Sequence, residues 1–143
     1  MNEQITIKEL FSLDKTIATG IVEVAVYPWE VLSKIGDYIV ELGNSLPQKE
    51  YYKRGDNIWI HKEATVFDSA YIAGPAIICK GAEVRHCAFI RGKAVVGENA
   101  VVGNSTELKN VILFDNVQVP HYNYVGDSIL GYKALLCLHL SMS

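Results

Sequence analysis

The sequence predicts a mainly-β fold, a single-stranded left-handed parallel β-helix built from hexapeptide repeats, preceded by a short α-helical segment. Three observations carry this prediction. From Ile60 the chain divides into units of six: IHKEAT, VFDSAY, IAGPAI, ICKGAE, VRHCAF, IRGKAV, VGENAV, VGNSTE. The first position is always a branched aliphatic: Ile60, Val66, Ile72, Ile78, Val84, Ile90, Val96 and Val102. The fifth is alanine from Ala64 to Ala100 and then Thr106. Such a phase is the signature of a solenoid in which each unit is a short strand plus a tight corner. Three units close one coil, and stacked coils pair their strands in parallel at about 4.8 Å.

Each element follows from its side chains. An inward branched aliphatic contributes roughly 1.5–3 kcal/mol on burial, and a small fifth residue fits beside a corner. Gly74, Gly81, Gly92, Gly97 and Gly103 suit the special backbone angles expected of corners. After Thr106 the phase continues through two shortened units, LKNVI and VGDSI, with LFDNVQ and VPHYNY between them. Upstream, residues 1–57 read as a helical extension and polar connector, and residues 58–143 as the β-helix, incomplete at its C-terminal end. "TIKELF" carries a capping box, Thr6 and Glu9. "YPWEVLSKIGDYIVELG" reads as a longer helix that starts near Pro28 and stops at Gly43, with Trp29, Leu32, Ile35, Ile39 and Leu42 on one face. "GNSLPQKEYYKRGDN" reads as the connector.

Composition narrows the function classes. The 143 residues carry a net charge of −3 with acids and bases scattered, so no basic patch for nucleic acid stands out. No signal peptide and no apolar run of membrane-spanning length is present, which predicts a cytoplasmic protein with no membrane partner. Cys79, Cys87 and Cys137 have no metal-ligand spacing and read as buried free thiols. Cys87 beside His86 suggests a dyad, but neighbours on a strand point to opposite faces, which argues against it. His61, His86 and His139 are given no role.

Winding the sequence onto coils brings distant polar residues together. Arg91 and Lys109 are 18 residues apart, one coil, and stack outward on adjacent rungs. Two cations about 5 Å apart repel by roughly 1 kcal/mol in water, a sign that a bound phosphate reverses. The bland alternative is that both splay into solvent. Glu107 and Tyr124 stack in the same way, and His121 falls in the corner of the VPHYNY unit beside them. On this reading a histidine, a carboxylate, a phenol and two cations converge on one edge of the prism, the grouping expected of a site.

The stretch "GNSTELKNVILFDNVQVPHYNYVGDSILG" resembles the acetyltransferase domain of the glucosamine-1-phosphate acetyltransferase/N-acetylglucosamine-1-phosphate uridylyltransferase family, and the nucleotide-sugar-pyrophosphorylase-related acyltransferases. The resemblance runs from about Ile58 to Lys133 and is most specific from Arg91 to Asp127. The family's H-x-x-Y-[LIV]-G-D motif reads here His121-Tyr122-Asn123-Tyr124-Val125-Gly126-Asp127. It implies His121 as general base, Glu107 as a carboxylate near the base, Arg91 and Lys109 as phosphate ligands and Tyr124 as a sugar contact. The implied reaction moves an acetyl group from the cosubstrate acetyl-CoA to the amine of an amino-sugar phosphate. A site between neighbouring prisms, and so a homotrimer, is also implied.

The resemblance further implies more coils after "GDSILGYKA", and those coils bind acetyl-CoA. Here "LLCLHLSMS" follows, with Leu135 where the family has a sugar-contacting asparagine and Leu138 outward at the open end. The expectation is a truncated or frameshifted acyltransferase that keeps half the substrate site and lacks the cofactor-binding coils. The alternative is a non-catalytic trimeric sugar-phosphate-binding module or scaffold. A third reading, a regulatory partner of a separate nucleotidyltransferase, is weaker, and uridylyl transfer by this chain is disfavoured because no nucleotide-binding glycine loop is present.

Overall fold

The computed structural model describes residues 14–24 and 29–133. Thr6, Glu9, Pro28, Cys137, His139 and the "LLCLHLS" stretch lie outside the described residues, as do the expectations placed on them. Within them the chain is mainly β, a parallel solenoid of about four turns with a few helices. The helices are α1 (Thr19–Val24), α2 (Trp29–Leu32) and α3 (Ile35–Ser45). None of the described helices is long and apolar enough to cross a membrane.

Twelve strands follow. β1 (Tyr51–Lys53) pairs antiparallel with β2 (Ile58–His61), so the expected polar connector contains a hairpin. Every other pairing is parallel and falls into three ladders. The first face holds β2, β5 (Ala76–Ile78), β8 (Ala94–Val96) and the C-terminal parts of β10 (Glu107–Leu113) and β12 (Tyr124–Leu130). The second holds β3 (Thr65–Val66), β6 (Glu83–Val84), β9 (Val101–Val102) and β11 (Gln118–Val119). The third holds β4 (Tyr71–Ile72), β7 (Phe89–Ile90) and the N-terminal parts of β10 and β12.

The register advances by 18 residues, as in Ala76 to Ala94, and then by 17, as in Ala94 to Val111 and Val111 to Ser128. The shortened units account for that change: β10 and β12 run unbroken round a corner and serve two faces each. Inward positions are fully apolar, with Ile78, Val84, Ile90, Val96, Val102, Leu108 and Val119 all at 0 % exposure.

The corners depart from expectation in which residues carry the strain. Left-handed backbone recurs in three columns: Gly81, Asn99, Asn116 and Lys133; Cys87, Ser105 and Tyr122; Lys93, Asn110 and Asp127. Asparagine and aspartate tolerate that region through local hydrogen bonds. Of the glycines expected there, only Gly81 and Gly92 have positive φ. Gly97 and Gly103 are needed for space instead. A Cβ on Gly97 would meet the Phe114 carbonyl carbon at 2.6 Å, and one on Gly103 the His121 nitrogen at 2.6 Å.

The single long helix expected from Pro28 to Gly43 is instead α2 and α3, separated by a turn at Ser33 and Lys34. α3 passes through Gly43 and ends at Ser45. Its buried face, Ile35, Ile39 and Gly43, lies over the first face against β5, β8 and β10. At Gly43 the helix comes close enough to β2 that a side chain would run into the Trp59 ring.

Candidate functional site

The third face carries the sequence-predicted residues on strands whose register is set by the inward Ile90, Leu108 and Val125. Glu107 stands opposite Phe89 on one side and Tyr124 on the other. Lys109 stands opposite Gly126, and the Arg91 amide donates to the Leu108 carbonyl at 2.8 Å, which continues the ladder and aligns Arg91 with Lys109. Arg91 Nη1 donates to Glu107 Oε2 at 2.8 Å. That hydrogen bond, with the carboxylate charge behind it, holds the guanidinium even more firmly protonated than usual. Arg91, Lys109 and Tyr124 are exposed and Glu107 is half-buried.

His121 lies at the other end of this face. It occupies the corner that enters the third face, whereas Arg91 and Lys109 flank the corner that leaves it. Stacking arithmetic fixes the rung on which a residue sits, not its place across the face, so four of the groups share the third face while His121 sits at the corner that leads into it. The exposed imidazole meets the Tyr122 ring edge-on at 5.2 Å. It also lines a hollow of about 220 Å³ with Arg85, Gly103, Asn104, Gln118 and Pro120, which belong to the second face and its corner. Among the described residues Glu107 is hydrogen-bonded to Arg91 and not to His121.

Known proteins share this stretch. A family model described as the GMPPB C-terminal domain matches residues 72–136. The bifunctional protein GlmU of Methanococcus maripaludis strain C5 is 36% identical over 107 residues, covering 73% of this chain and 26% of that protein. The chain is a relative of the GlmU proteins. GlmU of Enterococcus faecalis is 30% identical over 104 residues, 66% of this chain and 22% of its own length. GlmU of Methanocaldococcus jannaschii is 52% identical over 44 residues, 31% of this chain and 11% of its own. The chain thus spans about a quarter, or less, of the curated relatives it matches.

In this GlmU-related solenoid the corner bearing His121 is clamped by residues that sequence reasoning passed over. Thr106 Oγ1 donates to the Pro120 carbonyl at 2.9 Å. Asn123 Nδ2 donates to the carbonyls of Pro120 at 2.8 Å and His121 at 3.1 Å. Both side chains are buried and occupy the column that Ala70 and Ala88 fill in earlier coils. The loss of alanine at the fifth position was the available signal. At the opposite corner Asn110 Nδ2 donates to Asp127 Oδ1 at 2.8 Å, which gives the motif's aspartate a corner-holding contact beside Lys109. Of the two described thiols, Cys79 is buried as expected, but Cys87 is exposed.

Proposed function

We propose that this chain is an acyltransferase-family protein that transfers an acetyl group from acetyl-CoA to the amine of an amino-sugar phosphate resembling glucosamine-1-phosphate. The observation that carries the reading is the stacking of Arg91, Glu107, Lys109 and Tyr124 on one face within a GlmU-like stretch. The acceptor amine is protonated at neutral pH and must shed a proton before it attacks the thioester. His121 is the general base, since an imidazole nitrogen can accept the proton that the amine must lose. Arg91 and Lys109 hold the phosphate, Tyr124 contacts the sugar, and Glu107 orients Arg91 until the phosphate arrives. Because His121 and the cations stand at opposite ends of the face, the site is completed between copies in a homotrimer of left-handed β-helices. The exposed rings of Tyr71, Phe89 and Tyr124 on the same face support that docking.

The same separation favours a second reading, a sugar-phosphate-binding module without turnover. One pair of variants distinguishes the two. Turnover is followed as thiol release from acetyl-CoA with glucosamine-1-phosphate, and binding by calorimetry. His121→Ala should abolish turnover and leave phosphate binding in place; unchanged turnover removes His121 as base. Lys109→Ala should weaken binding by roughly tenfold or more, the loss expected for a charged hydrogen bond. Binding with no turnover in the parent chain selects the module.

A further inference from the structure

The corner that enters the third face carries a second constellation, two rungs from His121 and independent of the acyl-transfer reading. Cys87 has φ 58°, in the left-handed region. There strand alternation does not apply, and its side chain turns back toward its neighbour. Sγ lies 3.3 Å from His86 Nε2. The other ring nitrogen, Nδ1, is 2.6 Å from Ser69 Oγ on the rung below. The same Oγ accepts the Cys87 backbone N–H at 2.9 Å. Ser69 therefore fixes both the backbone of the thiol and the ring of the base, and all three contacts are exposed to solvent.

A nucleophile in reach of a base, with the base oriented by a third group, is the arrangement that activates thiols. A hydroxyl oxygen has two acceptor sites, so Ser69 can take the Cys87 N–H and a His86 Nδ1–H together. In that tautomer Nε2 is free to receive the thiol proton, and the imidazolium formed keeps its bond to Ser69. Cys79 offers the contrast within the same chain. It is fully buried, and desolvation pushes its thiol up to about 12.

We propose that Cys87 is a reactive thiol that forms mixed disulfides with small-molecule disulfides, with His86 as base and Ser69 as the residue that positions it. The Cys87 proton passes to His86 Nε2, and the thiolate attacks one sulfur of the disulfide. A new S–S bond forms as the old one breaks, and the departing thiolate takes a proton from His86. Cys87 is oxidised and the departing sulfur is reduced, so no other oxidant is needed.

The test uses the full chain carrying Cys137→Ser and oxidised glutathione as probe, with the adduct located by peptide mass spectrometry. A synthetic peptide spanning residues 83–90 serves as reference, because it holds the His86–Cys87 pair without the corner or Ser69. At about pH 7 the chain should react on Cys87 at least roughly tenfold faster than the peptide, because an unassisted thiol is only a few per cent thiolate at that pH. His86→Ala should lose most of that advantage and Ser69→Ala part of it. At about pH 9.5, where ordinary thiols are already ionised, the rates should converge. A chain no faster than the peptide, an adduct on Cys79, or a folded His86→Ala variant at full rate would each overturn the proposal. If His86→Ala does not fold, Ser69→Ala and the peptide ratio still decide it.

Discussion

The first and third faces are wound from the same coils and share the same interior, yet they end as opposite surfaces. Inside, Ile78, Val96 and Leu113 of the first face match Ile90, Leu108 and Val125 of the third. Outside they diverge. The first face presents Ile77, Val95 and Ile112, all sealed beneath α3. The third presents Tyr71, Phe89, Glu107 and Tyr124 in one column, with Arg91 and Lys109 alongside, all exposed except the half-buried Glu107. Inward positions specify the coil; outward positions decide whether a face is closed off or left to meet something else.

The largest expected effect breaks the covered side. Val95→Asp puts a carboxylate between the solenoid and α3, where it has neither water nor a partner. A loss on the order of 3–5 kcal/mol is expected in urea unfolding of the full chain. Tyr71, with 63% of its surface exposed, is the matching position on the open side. Tyr71→Asp should cost about 1 kcal/mol or less, as surface changes do. Equal losses would mean that the two faces are not distinguished by burial at all.

Much of this was legible in the sequence because the inward positions obey a local rule: branched at one place, small at another. The shortened units were legible too, and the 17-residue register of β10 and β12 follows from them. The covering of the first face was less so, although the three-residue apolar runs Ala76–Ile78 and Ala94–Val96 are what a strand buried on both sides needs. The glycines misled because two causes share one residue type: Gly81 answers a backbone angle, while Gly97 and Gly103 answer a close approach. For the candidate site, rung counting put Glu107 opposite Tyr124 but was blind to position across the face. Strand alternation, which set Cys87 and His86 apart, does not hold at a left-handed corner.

A middle-sized effect concerns the covered side under alkali. Burial raises the Cys79 thiol from 9.0 to about 12, and burial likewise raises the neighbouring Tyr51 phenol. Between those pH values the native state holds a proton that the unfolded chain has released. The contribution is therefore fully present below about pH 9 and is lost as pH rises toward 12. Each pH unit in that window costs at most about 1.4 kcal/mol from one such group. Denaturant unfolding at about pH 8 and about pH 10 should show a shallower decline for Cys79→Ala than for the parent, with Tyr51 leaving a residue of the slope. Parallel declines would show that the buried thiol is not what the alkaline limb reports.

The smallest effect belongs to the open side and bears on what that face can do. The Arg91–Glu107 pair is short at 2.8 Å, but its side chains keep 45% and 33% of their surface in solvent. Exposed pairs of this kind couple by about 0.2–1 kcal/mol. A double-mutant cycle with Arg91→Ala and Glu107→Ala should return a value in that range, and about 1 M salt should reduce it, since screening then acts within about 3 Å. A weak pair is what the proposed site requires. If a phosphate draws the guanidinium off Glu107, Arg91 gives up little and gains a dianionic partner shared with Lys109. A coupling above about 2 kcal/mol would mean that Arg91 is committed to its own chain, well beyond the exposed-pair range, and Lys109 would be left to hold the phosphate alone.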